Sequence, residues 1–409
     1  MREKKIETEA YNYTLAESEI AKYPLENRDK SKLLVYKQGK ISTKIFTDIA
    51  GEIDNGSFLV FNNTRVIQAR LIFYKATGAR IEIFCLEPHE PYDYAKSFAE
   101  KKQSIWKCLV GNLKKWKNGY LEKKIQIDNK DYLIKIEQTG NEKDAVLIKF
   151  SWNGNISFAE VLDKAGATPI PPYLNRESEN SDKERYQTIY SKNKGSVAAP
   201  TAGLHFTENV FESLTNNNIG KIELTLHIGA GTFKPVTSEH IGGHDMHAEK
   251  FIINKNTLEK LIKNKDRIIS VGTTSLRTLE SLYWIGRKIL SGEINDCNNI
   301  FVDQWDPYRF TDQITTDEAF NAVQGLLIKN KADYLNATTK IIILPGYKFR
   351  LVKGLITNFH MPKSTLLMLV AAFIGDDWKK VYNYALDNKY RFLSYGDSSL
   401  LLPERGKTE

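Results

Sequence analysis

The sequence predicts an α/β protein in which a large mixed α/β domain, residues 1–68 and 153–409, is interrupted by a small antiparallel β-barrel, residues 69–152. Three observations predict it. The 409 residues exceed the usual size of a single domain. Between residues 69 and 152, strand-like runs follow one another with only polar or glycine-containing turns between them. After residue 220 strand and helix signals alternate, which is the pattern of an α/β unit.

In the opening segment Thr14 is placed to cap a helix over LAESEIAKY, Pro24 stops it, and KLLVY and SFLVF read as strands. The barrel strands are RIEIFCL, IWKCLVGNL, KIQID, YLIKIEQ and AVLIKFSW. Thr207 then caps a helix over ENVFESL that ends before Gly220. KIELTLHI is a strand running into a glycine-rich turn, and RIISVGTTSLRTLESLYWIG is strand, turn and helix. Residues 285–339 read as less compact than their neighbours, apart from a helix over TDEAFNAVQGLLIKN. KIIILPGY and GLITNF read as strands, KSTLLMLVAAFIG as a buried helix, and the tail ERGKTE as frayed.

Composition narrows the class. Apolar residues at 41% and aromatics at 11% suffice for a packed core and exclude a disordered chain. No signal-peptide pattern and no run of about 18 apolar residues occurs, so the expectation is a cytoplasmic protein without a membrane segment. Cys85, Cys108 and Cys297 lie far apart without C-x-x-C spacing, so core thiols are expected rather than a disulfide framework or a thiolate metal site. The formal charge of +8 would favour a polyanionic partner, but on charge alone a lysine-rich solubility surface is the readier explanation.

Histidine placement carries the chemical signal. Six of the 7 histidines fall after residue 200, mostly beside glycine, proline or small residues at strand ends, where sites are built. In SVAAPTAGLHFT, Pro200 and Gly203 fix a turn that bears Thr201 and His205 at a helix mouth suited to an anion; a plain tight turn explains the stretch too. His227 leads into Gly229, Gly231 and Thr232, where missing side chains admit a ligand, although no G-x-G-x-x-G follows. His244, His247 and Glu249 in HDMHAE have spacing for a proton relay or substrate contact and, less readily, for zinc. No metal is expected, because no further ligand set accompanies them.

Thr273, Thr274, Ser275 and Arg277 in VGTTSLRTLES offer donors at a helix start, without a Walker lysine. Asn358, His360, Lys363 and Ser364 stand at a strand-to-helix bend, and Tyr395 and Asp397 on a turn, where Asp397 fits either a cation or a turn cap. In the barrel, Lys107, Lys114, Lys115 and Lys117 alternate with Trp106 and Trp116. That is the pattern of a nucleic-acid surface, or of solvated lysines over two core tryptophans.

Taken together these stretches closely resemble the S-adenosylmethionine:tRNA ribosyltransferase-isomerase family of queuosine biosynthesis. The resemblance runs in order through YPLENRDKSKLLVY, FNNTRVIQARL, RIEIF, TPIPPYLNRE, ERYQTIYSKNKGSVAAPTAGLHFT, LTLHIGAGTFKPV, HDMHAE, VGTTSLRTLES, PGYKFRLVKGLITNFHMPKSTLLMLVAAF and YRFLSYGD, nearly the whole chain. It implies a large mixed α/β barrel-like domain with a small β-barrel inserted. It implies transfer and isomerisation of the ribosyl part of S-adenosylmethionine onto 7-aminomethyl-7-deazaguanine at a tRNA wobble position. Epoxyqueuosine is formed, and adenine and methionine are released. Adenosylmethionine is thus a consumed substrate, and no cofactor is implied.

The same resemblance places Arg28, Asp29 and Arg65, within their motifs, among the substrate-binding residues. It offers His205, His227, His244 and His247 as bases for a 5′ proton. Arg277 or Lys363 would serve the methionine carboxylate, and Glu249 or Asp397 the aminomethyl cation or a ribose hydroxyl. This chain departs from the family pattern at Asn63, Gln68 and Lys353 and in the longer segment 285–339. Those departures keep open a divergent paralogue that binds tRNA as an accessory or acts on another nucleobase. A monomer is expected.

Overall fold

The computed structural model describes residues 3–142, 145–229, 236–310 and 314–404. Gly231 and Thr232 lie outside the described residues, as does the tail from 405.

A ten-stranded mixed sheet forms the body of the protein. Its order is Ile300–Val302, Tyr334–Thr339, Glu249–Asn254, Gly220–His227, Phe58–Asn62, Ile268–Val271, Val352–Asn358, Ser398–Leu402, Lys32–Lys37 and Lys40–Ile45. The four strands from Gly220–His227 to Val352–Asn358 run parallel to one another. The three beginning at Phe58, Ile268 and Val352 read as nearly unbroken buried runs, as strands covered on both faces must. In Lys32–Lys37 the strand period of two sends Leu34 and Tyr36 into one core and Leu33 and Val35 into another. The first core holds the helices Thr273–Leu290 and Thr316–Lys329, and the second holds Glu208–Asn216. No helix among the described residues is long and apolar enough to cross a membrane.

Residues 70–167 build a seven-stranded antiparallel sheet in the order Gly166–Ala167, Arg70–Tyr74, Arg80–Glu90, Gln103–Gly111, Ala145–Trp152, Lys130–Glu142, Tyr120–Ile127. It has its own core. The sheet curls until its last strand lies near Arg70–Tyr74, but no hydrogen-bonded ladder joins those two among the described residues. Trp106 and Trp116 are fully buried in that core, so both rings of the lysine-tryptophan stretch pack inside the sheet. All three cysteines are free and buried, as the composition led us to expect.

Three sequence expectations are corrected. The helix foreseen over residues 15–23 is a single 3₁₀ turn, Glu17–Glu19, because Ile20 and Ala21 pair with Phe392 and draw the chain into extended form. KIIILPGY is buried but is no strand; the ladder beside Glu249–Asn254 is taken by the preceding Tyr334–Thr339. A continuous apolar run without alternation is the case that periodicity cannot resolve. Residues 285–339, foreseen as loosely packed, extend the main sheet by two strands and send Cys297, Ile300, Val302, Phe320, Val323 and Leu327 into the main core.

Candidate active site

Parallel strands in an open α/β sheet collect ligands at their carboxyl ends. Here the ends of Ile268–Val271 and Val352–Asn358 open on a cavity of about 260 Å³. Its wall is built from four separated stretches: Ala198–Ala202, Gly272–Thr274, Thr357–Pro362 with Ser364–Leu366, and Leu393–Ser394, closed on a further side by Pro172, Tyr173 and Tyr186. Of the residues singled out in the sequence, Pro200, Thr201, Thr273, Thr274, Asn358, His360 and Ser364 line it.

Local chemistry explains each placement. Gly272 caps the Thr273–Leu290 helix at φ +91°, a conformation that favours glycine, and its N–H donates to the Ile356 carbonyl at the strand end. That helix has no side-chain cap on its first N–H groups, and Thr273 and Thr274 of its first turn line the cavity. Ser364 caps the next helix, its hydroxyl accepting from the Leu367 N–H at 3.2 Å. The turn around Pro200 is tied by the Gly203 N–H to the Pro200 carbonyl at 2.8 Å. Gly203 itself serves packing, since a Cβ there would sit 1.9 Å from the Tyr190 hydroxyl.

His360 stands in the cavity wall with Nε2 2.9 Å from the Thr357 hydroxyl, and burial holds its pKa down at about 3. His205 lies one layer behind. Its Nδ1 meets the Ser31 hydroxyl at 2.8 Å, and its Nε2 faces the amide of Asn358 at 3.4 Å. Burial, aided by the charges of Arg391 and Arg28, pushes its pKa to about 4. Asn358 in turn accepts from the Thr201 hydroxyl at 2.9 Å. His205, Arg28 and Tyr395 line a second, smaller cavity that shares Ser394 with the first.

The other singled-out residues stand apart from the main cavity. His227 is buried against Tyr94, rings stacked at 4.3 Å, and burial and Lys250 take its pKa to about 4. His247 reaches Glu249 at 3.2 Å, and Glu249 pairs with Arg277 at 2.7 Å, both of the latter buried. His244 is half-buried, with its pKa lowered by burial and by His247. Gly229 is half-buried with open space around it, and Ser275 is buried within the helix. Lys363 bonds Glu9 at 2.5 Å, Asp29 accepts from Thr207 at 2.8 Å, and exposed Arg65 lies on a separate cleft with Lys194.

Asp397 works as a turn cap: its oxygens accept the N–H groups of Lys32 at 3.0 Å and Arg391 at 2.8 Å, while burial raises its pKa. Tyr395 donates to Asp182, itself held bidentately by Arg176. Lys107 is taken by Glu87 and Glu142, whereas Lys114, Lys115 and Lys117 are exposed. No group of three metal-ligating side chains occurs among the described residues.

Sequence reasoning missed Tyr173, Tyr186, Ser394, Arg185 and Arg391, which line the two cavities. They lie inside the stretches TPIPPYLNRE, ERYQTIY and YRFLSYGD, but none sits beside a turn glycine or a histidine that would have drawn attention to it.

Comparison with known proteins agrees with the motif order. A family model described as queuosine biosynthesis protein matches residues 8–401. A relative from Halothermothrix orenii, named S-adenosylmethionine:tRNA ribosyltransferase-isomerase, is 37% identical over 405 residues, spanning 97% of this chain and 100% of its own. One of the same name from Sulfurihydrogenibium sp. is 38% identical over 399 residues, spanning 96% and 98%. A solved structure of S-adenosylmethionine tRNA ribosyltransferase from Thermotoga maritima aligns over 96% of this chain and 99% of that one at 28% identity, with a TM-score of 0.45.

Proposed function

From the premise that the chain belongs to the queuosine biosynthesis protein family, we propose that it is an S-adenosylmethionine:tRNA ribosyltransferase-isomerase. It moves the ribosyl group of adenosylmethionine onto 7-aminomethyl-7-deazaguanine at the tRNA wobble position, leaving epoxyqueuosine and releasing adenine and methionine. It acts as a cytoplasmic monomer, with residues 69–152 as its small inserted domain.

The observation that carries this reading is the main cavity, assembled from four family motifs that are far apart in the chain. Its apolar wall, with Pro172, Ala198, Pro200, Phe359 and Met361, suits an adenosyl group. The uncapped helix start at Thr273 and Thr274 suits the methionine carboxylate, because free N–H groups and the helix dipole favour an anion there. Neither Arg277, already paired with Glu249, nor Lys363, paired with Glu9, lines the cavity.

The reaction begins with removal of a 5′ proton, which the adjacent sulfonium acidifies by stabilising the carbanion. The base must reach that proton and must be neutral. His360 is the base this reading selects: it stands in the cavity wall, and burial keeps its imidazole uncharged. His205 does not serve, since both of its ring nitrogens face polar partners; it positions Asn358.

Mass spectrometry of nucleosides from tRNA carrying the aminomethyl base, incubated with the protein and adenosylmethionine, tests the reading. Epoxyqueuosine with free adenine is expected. Bound but unmodified tRNA would establish the accessory paralogue instead.

A further inference from the structure

Three arginines converge on the smaller cavity, and among the described residues no carboxylate pairs with two of them. Arg28, Arg185 and Arg391 line it with His205, Ser394 and Tyr395, and each arginine is half-buried. Arg28 donates to the Gln187 carbonyl at 2.9 Å, and Arg185 to the carbonyls of Glu26 at 3.0 Å and Leu25. Arg391 donates to the Tyr23 carbonyl at 3.3 Å, and its Nε lies 3.8 Å from Asp397. Among the described residues Asp397 is thus the one carboxylate at hand, and its oxygens already accept two main-chain N–H groups.

The unbalanced charge registers on Arg28, whose pKa falls below the usual guanidinium range through burial and repulsion from Arg185. A neighbouring arginine shows the contrast. Arg176, whose guanidinium lies 6.0 Å from the ring centre of Tyr395, is neutralised bidentately by Asp182 at 2.7 and 2.8 Å. Each guanidinium carries five N–H donors in a planar fork that fits phosphate oxygens, and most of those on the three converging arginines are unused.

The size of the site selects the ligand. About 20 Å³ of space lies inside, too little for a whole small molecule, so an oxyanion must sit at the mouth. Beside it Tyr23 is 51% exposed, with Arg176 4.3 Å from its ring centre, an aromatic surface next to the positive charge. We propose that Arg28, Arg185 and Arg391 bind a phosphodiester of the RNA backbone next to the reacting nucleotide. Ser394, common to both cavities, marks where that backbone passes the reaction cavity. This rests on the proposed function only for the identity of the RNA.

The test is titration of tRNA with the wild-type protein and with Arg185→Gln and Arg391→Gln between about 50 and 200 mM salt. Each glutamine variant is expected to lower the slope of log affinity against log salt by about 0.7 to 0.9, the worth of one lost phosphate contact. Arg185→Lys and Arg391→Lys should restore it, and the KM for adenosylmethionine should not change. An unchanged slope overturns the site. A raised KM for adenosylmethionine with an unchanged tRNA slope overturns it in favour of the small substrate's carboxylate.

Should a glutamine variant fail to fold, ethylation interference on the wild-type complex decides: blocked binding at phosphates flanking the wobble nucleotide is expected, and its absence overturns the site. Wild-type protein that shows this interference but releases no adenine keeps the phosphate site while refuting the reaction. Wild-type protein that binds no tRNA refutes both.

Discussion

The amide nitrogen of Asn358 lies 3.4 Å from Nε2 of His205, so the imidazole accepts there and carries its proton on Nδ1, toward Ser31. A histidine held in that tautomer orients the amide in the cavity wall and has no nitrogen left for substrate. His205→Gln should therefore cost about one hydrogen bond, 1–1.5 kcal/mol, or up to about tenfold in kcat/KM for adenine release. A loss of three orders of magnitude would return His205 to the reaction itself.

His360→Gln should behave differently. Loss of a general base removes about 10²- to 10⁴-fold from turnover. Adenosylmethionine binding, measured by calorimetry on the variant, should stay within a few-fold of wild type. Equal losses in both quantities would make His360 a binding residue.

Three histidines carry pKa values depressed by burial: His205 and His227 to about 4, His360 to about 3. A histidine whose folded pKa lies below its unfolded value of about 6.5 binds its proton more readily in the unfolded chain. Their contribution is therefore complete above about pH 6.5 and is lost as pH falls toward 4. The thermal midpoint should drop steeply over that window, and His227→Gln should flatten the drop. An equally steep profile in that variant would remove His227 as a contributor.

Glu249 and Arg277 form a buried pair, at 1% and 2% exposure. Removing one partner strands the other charge, so Glu249→Gln should destabilise by about 3–5 kcal/mol, as seen in denaturant melts. The double change Glu249→Met with Arg277→Leu should recover much of that loss. Failure to recover would mean that the pair's links to His247 and the Ile341 carbonyl matter more than its charge balance.

The segment 285–339 belongs to the core, so Phe320→Ala and Leu327→Ala should each cost about 2–5 kcal/mol, as core truncations do. Costs below about 0.5 kcal/mol would mark the segment as an appendage.

What the sequence shows follows from where periodicity and punctuation are strong. Alternation exposed every long strand of the curled sheet, and Thr207 occupies the cap position read for it, where its hydroxyl meets the third N–H. Turn residues led to Pro200, Thr201, Thr273, Asn358 and His360, because glycine and proline mark the strand ends that form the cavity. Arg185 and Arg391 escaped notice: a half-buried arginine looks in sequence like any surface charge, and only the fold brings the two to one cavity. His244, His247 and Glu249 looked like a site because they are close in sequence. In space Glu249 turns to a buried arginine and does not line the cavity.

The strand Lys32–Lys37 lies between Lys40–Ile45 and Ser398–Leu402, so it waits on the ribosome for a partner far along the chain before the sheet can close around it. Ser394 and Leu393, in the cavity wall, arrive just before that distant partner. A nascent chain therefore has no binding pocket until Ser398–Leu402 has been made, and a product cut before Leu393 leaves a strand with an open edge rather than a weakened enzyme.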